Sequence, residues 1–152
     1  MILKLYKYLF YLLIPLLKLN LILRINKNKE DKKRIKERFG ISNLHRPNGN
    51  LIWIHAASVG EFNSATGLIN YLQKTHNILV TTSTVTAFIY CKKLFNDKII
   101  HQYAPIDHDP WVKNFIEHWT PDLVIWIESD LWPNTIRIIS ENNIHSILLN
   151  LR

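Results

Sequence analysis

The 152-residue sequence has one cysteine and none of the glycine-rich loops with which many proteins hold nucleotide phosphates. A single cysteine excludes an internal disulfide and a cysteine-based metal cluster, and the apolar helical pattern around Cys91 predicts a packed residue rather than a nucleophile. Neither Gly-x-Gly-x-x-Gly nor Gly-x-x-x-x-Gly-Lys-Ser/Thr occurs, so the common nucleotide fingerprints are absent. The seven histidines lack metal-ligand spacing, which predicts no metal site.

The sequence also lacks an apolar run of membrane-spanning length. The longest run, residues 8–17, has ten residues before Lys18 interrupts it, whereas a spanning helix needs about 20. Residues 1–23 are nevertheless rich in Leu, Ile, Tyr and Phe, and no small-residue cleavage site follows them. We therefore expect residues 1–23 to form a hydrophobic anchor helix, for which a shallow or in-plane position is at least as favoured as a full span.

Acidic residues are scarce in the first third of the chain. Residues 1–46 hold 12 of the 19 Lys and Arg and three acidic residues, and most of these cations follow the hydrophobic segment. We expect residues 24–46 to be a basic juxtamembrane segment attracted to anionic lipids on the cytoplasmic side; a solvated helix face is the alternative. Nucleic acid is a disfavoured partner because no aromatic residues are interleaved for base stacking.

From residue 47 to residue 152, short apolar runs rich in β-branched residues alternate with helical patterns. The predicted strands are residues 51–54, 78–82, 99–103, 123–127 and 144–149. Strands that alternate with helices predict a parallel sheet with right-handed crossovers. We therefore expect an α/β, Rossmann-like domain, which binds ligands at the carboxyl edge of its sheet.

The stretch from Leu51 to Phe62 leads from the first strand into the first helix and is the first place where we expect chemistry. Small residues, Gly60 among them, let a ligand approach the backbone there. Glu61 lies in the first helical turn, where Ser58-x-x-Glu61 is also a capping box. The two roles can coexist, because a helix N-terminus stabilises a carboxylate that can accept a proton.

Two further strand ends bring polar groups to the same edge. The hydroxyls of Thr82 and Thr84 follow the second strand and could cap the next helix or bind sugar and phosphate oxygens. The fourth strand delivers Glu128 and, after a short loop, Asn134. Asp109 precedes Pro110 and is predicted to be the N-cap of the helix after the third strand.

Four motifs in one order carry a family resemblance. They are Ser58-Val-Gly-Glu61, Thr81-Thr-Ser-Thr84, Tyr103-x-Pro105-x-Asp107 and Glu128-Ser-Asp-Leu-Trp-Pro-Asn134. Together they resemble the 3-deoxy-D-manno-octulosonic acid (Kdo) transferase family over nearly the whole chain, which includes Arg38-Phe-Gly40 before the first strand. The chain departs from the family pattern at Asp130, where a second glutamate is usual, and at Leu151, where a small residue is usual.

The resemblance implies the N-terminal, acceptor-binding half of a two-domain GT-B glycosyltransferase on the cytoplasmic face of the cell inner membrane. The implied reaction, in lipopolysaccharide biosynthesis, transfers Kdo from CMP-Kdo to the lipid A precursor lipid IVA, with inversion and without a metal or other cofactor. The second domain, which would bind CMP-Kdo, is expected to be absent from this chain.

The resemblance also implies roles for individual residues. Glu61 matches the catalytic base, and Glu128 matches a position suited to stabilising a cation-like sugar in the transition state. The expected substrate-binding residues are Ser58, Gly60, Thr82, Thr84 and Asn134. Glu128 could equally be a cap or part of a buried salt bridge.

Two other functions stay open. The first is a membrane-associated remnant that binds the lipid acceptor without catalysing transfer. The second is a small receiver-like or nucleotide-binding α/β module, which the missing phosphate loop disfavours.

Overall fold

The computed structural model describes residues 2–128 and 131–149, with side chains from residue 12 onward. Its helices are α1 (Ile2–Asn26), α2 (Val59–Leu72), α3 (Val85–Phe95), α4 (Asp109–Trp119) and α5 (Pro133–Glu141). Its strands are β1 (Leu51–His55), β2 (Asn77–Thr82), β3 (Ile100–Tyr103), β4 (Leu123–Ile127) and β5 (His145–Leu149). The two predicted departures, Asp130 and Leu151, lie outside the described residues, as does Ser129 of the fourth motif.

All five strands pair in parallel in the order β3-β2-β1-β4-β5. This confirms the predicted Rossmann-like sheet, and each strand begins and ends within one residue of its predicted bounds. The chain moves outward from β1 through β2 to β3 and then returns to the other side of β1 as β4. The direction of winding therefore reverses between β1 and β4, and such a switch point is where open α/β sheets bind ligands.

The two faces of the sheet carry separate apolar cores, because alternate residues of each strand point to opposite faces. On one face, Ile52 and Ile54 of β1 pack with Phe62 of α2 and Phe95 of α3. The other face, under α4 and α5, is dominated by large aromatic residues, which are Trp53, Phe115, Trp119 and Trp126. Helices thus cover both faces of the central strands, as a parallel sheet requires.

The basic segment folds partly onto the domain. It contains a 3₁₀ helix, Lys32–Phe39, whose Arg38 is buried and donates hydrogen bonds to Glu30 (3.0 Å), to the Ser83 carbonyl (2.6 Å) and to the Ala104 carbonyl (3.1 Å). These contacts tie the segment to the carboxyl ends of β2 and β3. Arg38 is therefore bound to the protein rather than free to meet lipid headgroups.

Gly40 ends this 3₁₀ helix in the left-handed conformation, with φ of 73°. A Cβ atom at this position would lie 1.9 Å from the backbone oxygen of Trp111 in α4. Only glycine permits both the positive φ and this close backbone approach. Gly40 therefore sets how tightly the basic segment packs on α4.

The N-terminus of α4 differs from the prediction. The helix begins with Asp109, and the N-cap is His108, whose side chain makes no capping hydrogen bond. The Asp109 carboxylate instead pairs with Arg137 of α5 at 2.7 Å. The prediction of Asp109 as the cap rests on Pro110 alone, whereas this pairing with another helix is visible only in the fold.

Helix α1 contains Pro15 and contacts the domain near its C-terminal end, where Leu21 is buried. Its opposite side carries large apolar residues that are at least half exposed, which are Leu12, Leu16, Leu19, Ile22 and Leu23. Within the described residues, no helix combines the length and the apolar character that crossing a membrane requires.

Candidate functional site

The candidate site is the carboxyl edge of the sheet at the switch point between β1 and β4. His55, at the end of β1, lies beside Trp126 of β4. The residues that follow β1 lead to Glu61 in the first turn of α2, and Glu128 directly follows β4. The fold therefore places Glu61, in the first turn of the helix that follows β1, and Glu128, directly after β4, on the same edge of the sheet.

The Glu61 side chain is half-buried and held by two hydrogen bonds. Its Oε2 accepts the backbone N–H of Ala57 at 2.7 Å, and its Oε1 accepts the hydroxyl of Ser58 at 2.9 Å. The Ser58 oxygen in turn accepts the backbone N–H of Glu61 at 3.3 Å. The predicted capping interaction is confirmed. A carboxylate oxygen has two acceptor positions, so this arrangement also leaves capacity on Glu61 to accept a proton.

Glu128 follows β4 with a positive φ of 63°. Its backbone N–H donates to the carbonyl of Leu149 at 2.8 Å, which holds it beside the end of β5. A left-handed conformation at a non-glycine residue costs on the order of 1–3 kcal/mol, and such residues concentrate at functional sites. The backbone at Glu128 thus makes this position a candidate on grounds that the sequence could not provide.

Thr82, a predicted substrate ligand, is fully buried beside His101. Arg34 can only donate, so its 3.1 Å contact makes His101 Nδ1 an acceptor and leaves the hydrogen on Nε2. Nε2 then donates to the Thr82 hydroxyl at 3.0 Å, which donates to the carbonyl of Thr84 at 3.4 Å. Burial, followed by the Arg34 charge, lowers the pKa of His101 to about 3.

The remaining predicted ligands of β1 and β2 lie at helix N-termini. Ser58 is the N-cap of α2, and Thr84 is the N-cap of α3, where its hydroxyl accepts the N–H of Ala87 at 3.2 Å. Gly60 is exposed, and a Cβ atom added there would have the Ser58 hydroxyl as its nearest neighbour, at 3.9 Å. Ser58, Gly60 and Thr84 therefore lie at the ligand edge, and their substrate contacts stay predictions.

Asn134 is buried and bound to the loop after β3. Its backbone N–H donates to Asp107 Oδ2 at 3.0 Å, and its side-chain amide donates to the Asp107 carbonyl at 2.6 Å. Asp107 is part of a predicted motif, but no sequence pattern indicates that it contacts α5. Sequence reasoning therefore misses the residue that organises this corner, because its partners lie 27 and 28 positions away.

The other buried titratable groups complete the description of the site. Burial lowers the pKa of His55 to about 4 and raises that of the Cys91 thiol to about 12. Cys91 lies in the apolar core on the α2–α3 side of the sheet, which confirms it as a packed residue. His55 Nδ1 contacts the Thr81 hydroxyl at 2.8 Å, and its buried Nε2 meets no hydrogen-bond partner among the described residues. Among residues 2–128 and 131–149, no three His, Cys, Asp or Glu side chains converge as metal ligands.

Comparison with known proteins identifies the family. The family model described as 3-deoxy-D-manno-octulosonic-acid transferase (kdotransferase) matches residues 33–152. The chain belongs to the Kdo transferase family. The match begins inside the 3₁₀ helix, so it includes Arg38 and Gly40 as well as the whole sheet.

Named Kdo transferases are similar to almost the full chain. A protein of Arabidopsis thaliana named "Probable 3-deoxy-D-manno-octulosonic acid transferase, mitochondrial" is 38% identical over 98% of this chain and 34% of its own length. The 3-deoxy-D-manno-octulosonic acid transferase of Rickettsia bellii is 41% identical over 88% of the chain and 32% of its own. The protein of the same name from Haemophilus influenzae is 37% identical over 83% of this chain and 30% of its own length. The chain thus spans about a third of these glycosyltransferases.

Proposed function

We propose that this chain is the acceptor-binding half of a GT-B Kdo transferase that transfers Kdo from CMP-Kdo to lipid IVA. The observation that carries the proposal is that Glu61, in the first turn of the helix after β1, and Glu128, directly after the neighbouring strand β4, follow the carboxyl ends of adjacent strands. A carboxylate on each side of the switch point can serve one reacting sugar. Family membership supports the reaction type, and the donor and acceptor follow from the sequence resemblance.

In this mechanism Glu61 is the general base. It takes the proton from the acceptor hydroxyl while that oxygen attacks the anomeric carbon of Kdo and the bond to CMP breaks. The N–H of Ala57 and the hydroxyl of Ser58 hold the Glu61 carboxylate in place, so it is oriented before substrate arrives. Glu128 stabilises positive charge on the sugar as the bond to the leaving group lengthens.

We further propose that α1 holds the chain on the cytoplasmic face of the inner membrane. Its exposed apolar side is followed in the chain by exposed cations that form no ion pair with the described residues, which include Lys27, Lys29 and Lys33. An apolar helix and a basic cluster are the two signals that stable membrane attachment needs. Attachment would also raise the effective concentration of a lipid acceptor.

A transfer assay tests the role of Glu61. Because the chain spans about a third of its relatives, the assay adds the remaining part of the Rickettsia bellii relative as a second polypeptide. Glu61→Gln should lower the rate about 100- to 10,000-fold, since the amide keeps the shape but cannot accept the proton. Glu117→Gln, on the exposed side of α4, is the control. Normal transfer by the Glu61→Gln chain would show that this side chain is only a cap.

The alternative is a membrane-associated remnant that binds the acceptor without catalysing transfer. The capping bonds of Glu61 favour it, because they give this carboxylate a structural role that needs no chemistry. A reconstituted pair that binds lipid IVA but shows no transfer under any condition would support the remnant.

A further inference from the structure

Two cavities meet at Arg24, on the β2–β3 side of the candidate site. The first, of about 390 Å³, lies between α1 and the loops that follow β2 and β3, and Leu17, Leu21 and Trp132 line it. The second, of about 290 Å³, is lined by Lys29, Thr84 and Thr86 among others. Arg24 lines both. The first cavity alone lies within the range of small-molecule sites, about 300–1,000 Å³, and the second lies at its lower limit.

The first cavity has apolar walls over a polar floor whose charges are already paired. Arg38 and Glu30 form this floor, and both are buried. Arg38 donates to both oxygens of Glu30 and to two backbone carbonyls, so it has little capacity left for a ligand. The walls, formed by Leu17 and Leu21 of α1 and by Trp132, therefore decide what this cavity can hold, and they suit a hydrocarbon chain.

The second cavity has the opposite character, because cations and hydroxyls line it and no carboxylate does. Arg24 donates from Nε to Glu30 at 2.9 Å and from Nη2 to the Lys29 carbonyl at 3.4 Å. Its Nη1 meets no acceptor in the described part of the chain, and 38% of its side chain is exposed. Lys29 is exposed and forms no ion pair with the described residues. Arg24, which is paired with Glu30 through Nε, and Lys29 thus face a cavity that no carboxylate of the described residues lines.

We propose that the two cavities together bind a phosphorylated amphiphile. Its hydrocarbon chain lies against Leu17, Leu21 and Trp132, and its phosphate lies between Arg24 and Lys29, where both cations can donate charge-assisted hydrogen bonds. This inference rests on the proposed function. The amphiphile is then the acylated, phosphorylated part of the acceptor lipid, and these residues bind it. The predicted ligand Thr84 lines the second cavity, whereas the predicted ligands Thr82 and Asn134 are buried.

Binding of dodecyl phosphate, below its micelle concentration, tests the site without any transfer. Trp132 is partly exposed. Dodecyl phosphate that carries bromine near the end of its hydrocarbon chain should therefore quench the fluorescence of Trp132, and Trp132→Phe should remove that quenching. The single variant Lys29→Gln should bind dodecyl phosphate more weakly than the parent chain does. The double variant, Arg24→Gln with Lys29→Gln, should weaken this binding by about tenfold or more. The uncharged dodecyl maltoside should bind these variants as it binds the parent chain.

Lys93→Gln, an exposed change on α3, is the matched control and should not alter binding. Lys29→Gln removes no described side-chain hydrogen bond, so its result is independent of any unfolding caused by the loss of Arg24. The proposal would be overturned if Lys29→Gln and the double variant bound dodecyl phosphate as tightly as the parent chain does. Quenching that persists in the Trp132→Phe variant would also overturn it.

Competition identifies the source of the amphiphile. Lipid IVA should displace dodecyl phosphate, and phosphatidylglycerol vesicles should not. If the vesicles displaced dodecyl phosphate and lipid IVA did not, the assignment of the site to the acceptor would be overturned. The proposed function can fail separately: normal transfer by Glu61→Gln would refute the catalytic base while lipid IVA binding at Arg24 and Lys29 stood.

Discussion

Asp107, in the loop after β3, caps the first turn of α5 by accepting two hydrogen bonds from Thr135. Its Oδ1 accepts the backbone N–H of Thr135 at 2.8 Å and the hydroxyl of the same residue at 2.7 Å. The helix has no side-chain cap of its own at Trp132. The loop after β3 therefore fixes the start of α5. It also fixes the point at which the segment that begins at Glu128 enters this helix.

We expect Asp107→Asn to destabilise the fold by about 1–3 kcal/mol. The side chain is buried, and an amide would turn an N–H group towards donors that now meet a carboxylate oxygen. Asp97→Asn, whose side chain is 79% exposed, should change stability by less than about 0.5 kcal/mol. Urea unfolding of both variants gives the measurement, and equal midpoints for the two would contradict this capping role.

Replacing Gly40 and Gly67 by alanine should give effects of opposite sign. Gly40→Ala forces a side chain into a left-handed backbone and against the Trp111 oxygen, and should cost about 2–4 kcal/mol. Gly67 lies within α2, exposed, with nothing within 4 Å of an added Cβ. Gly67→Ala should therefore stabilise by about 0.4–1 kcal/mol. Thermal unfolding of the two variants and the parent chain measures these effects. A Gly40→Ala variant as stable as the parent chain would mean that the basic segment does not need this close approach to α4.

Stability should fall as pH drops from about 6.5 towards 4. Burial lowers the pKa of His55 to about 4 and of His101 to about 3, so in this range the unfolded chain binds protons that the folded chain does not. Each histidine then contributes up to about 1.4 kcal/mol per pH unit to the free energy of unfolding. The raised pKa of Glu37, caused by burial, acts in the opposite direction.

Unfolding in urea at pH 5 and pH 6 measures this effect. His55→Gln should flatten the dependence of the free energy of unfolding on pH, since glutamine does not titrate. The difference between variant and parent isolates the histidine from Glu37. Parallel curves for the two chains would show that His55 is protonated as readily in the fold as in the unfolded state.

Aspartate on the exposed side of α1 should weaken the membrane attachment that we propose for this helix. Leu12 and Leu16 are 76% and 61% exposed, so Leu12→Asp with Leu16→Asp removes apolar surface without disturbing the buried Leu21. Sedimentation with anionic vesicles should recover much less of this variant than of the parent chain. Ile89→Asp, on the exposed side of α3, is the control. Removing all residues before Pro47 is a poorer test, because it also removes Arg38 and Gly40.

The sequence predicted the sheet well because each strand is a short apolar run between helices. Leu123–Ile127, for example, is apolar throughout and matches β4 residue for residue. The 3₁₀ helix was not predicted, because its buried residues include Glu37 and Arg38, and charged residues normally indicate a solvated segment. Their partners, Tyr103 and Ala104, lie 66 positions away.

The candidate site was predicted only in part, for a related reason. Ser58 and Glu61 are three residues apart, and their mutual hydrogen bonds follow from local helix geometry. Asn134 and Thr82 lie at the ends of the expected elements, but their polar groups are engaged by Asp107 and His101, which only the fold brings near. Sequence patterns thus located the site's local capping contacts, while its long-range contacts required the structure.

The exposed position of β5 has a consequence for how this polypeptide behaves in solution. Four of its five residues are exposed, and Ile147 and Leu148, on opposite faces, are 45% and 51% exposed. In the described sheet β5 pairs only with β4, so its outer backbone groups form an open edge. An apolar open edge recruits other strands. Samples of the 152-residue chain should therefore associate as their concentration rises, and a lysine at Ile147 should keep them monomeric.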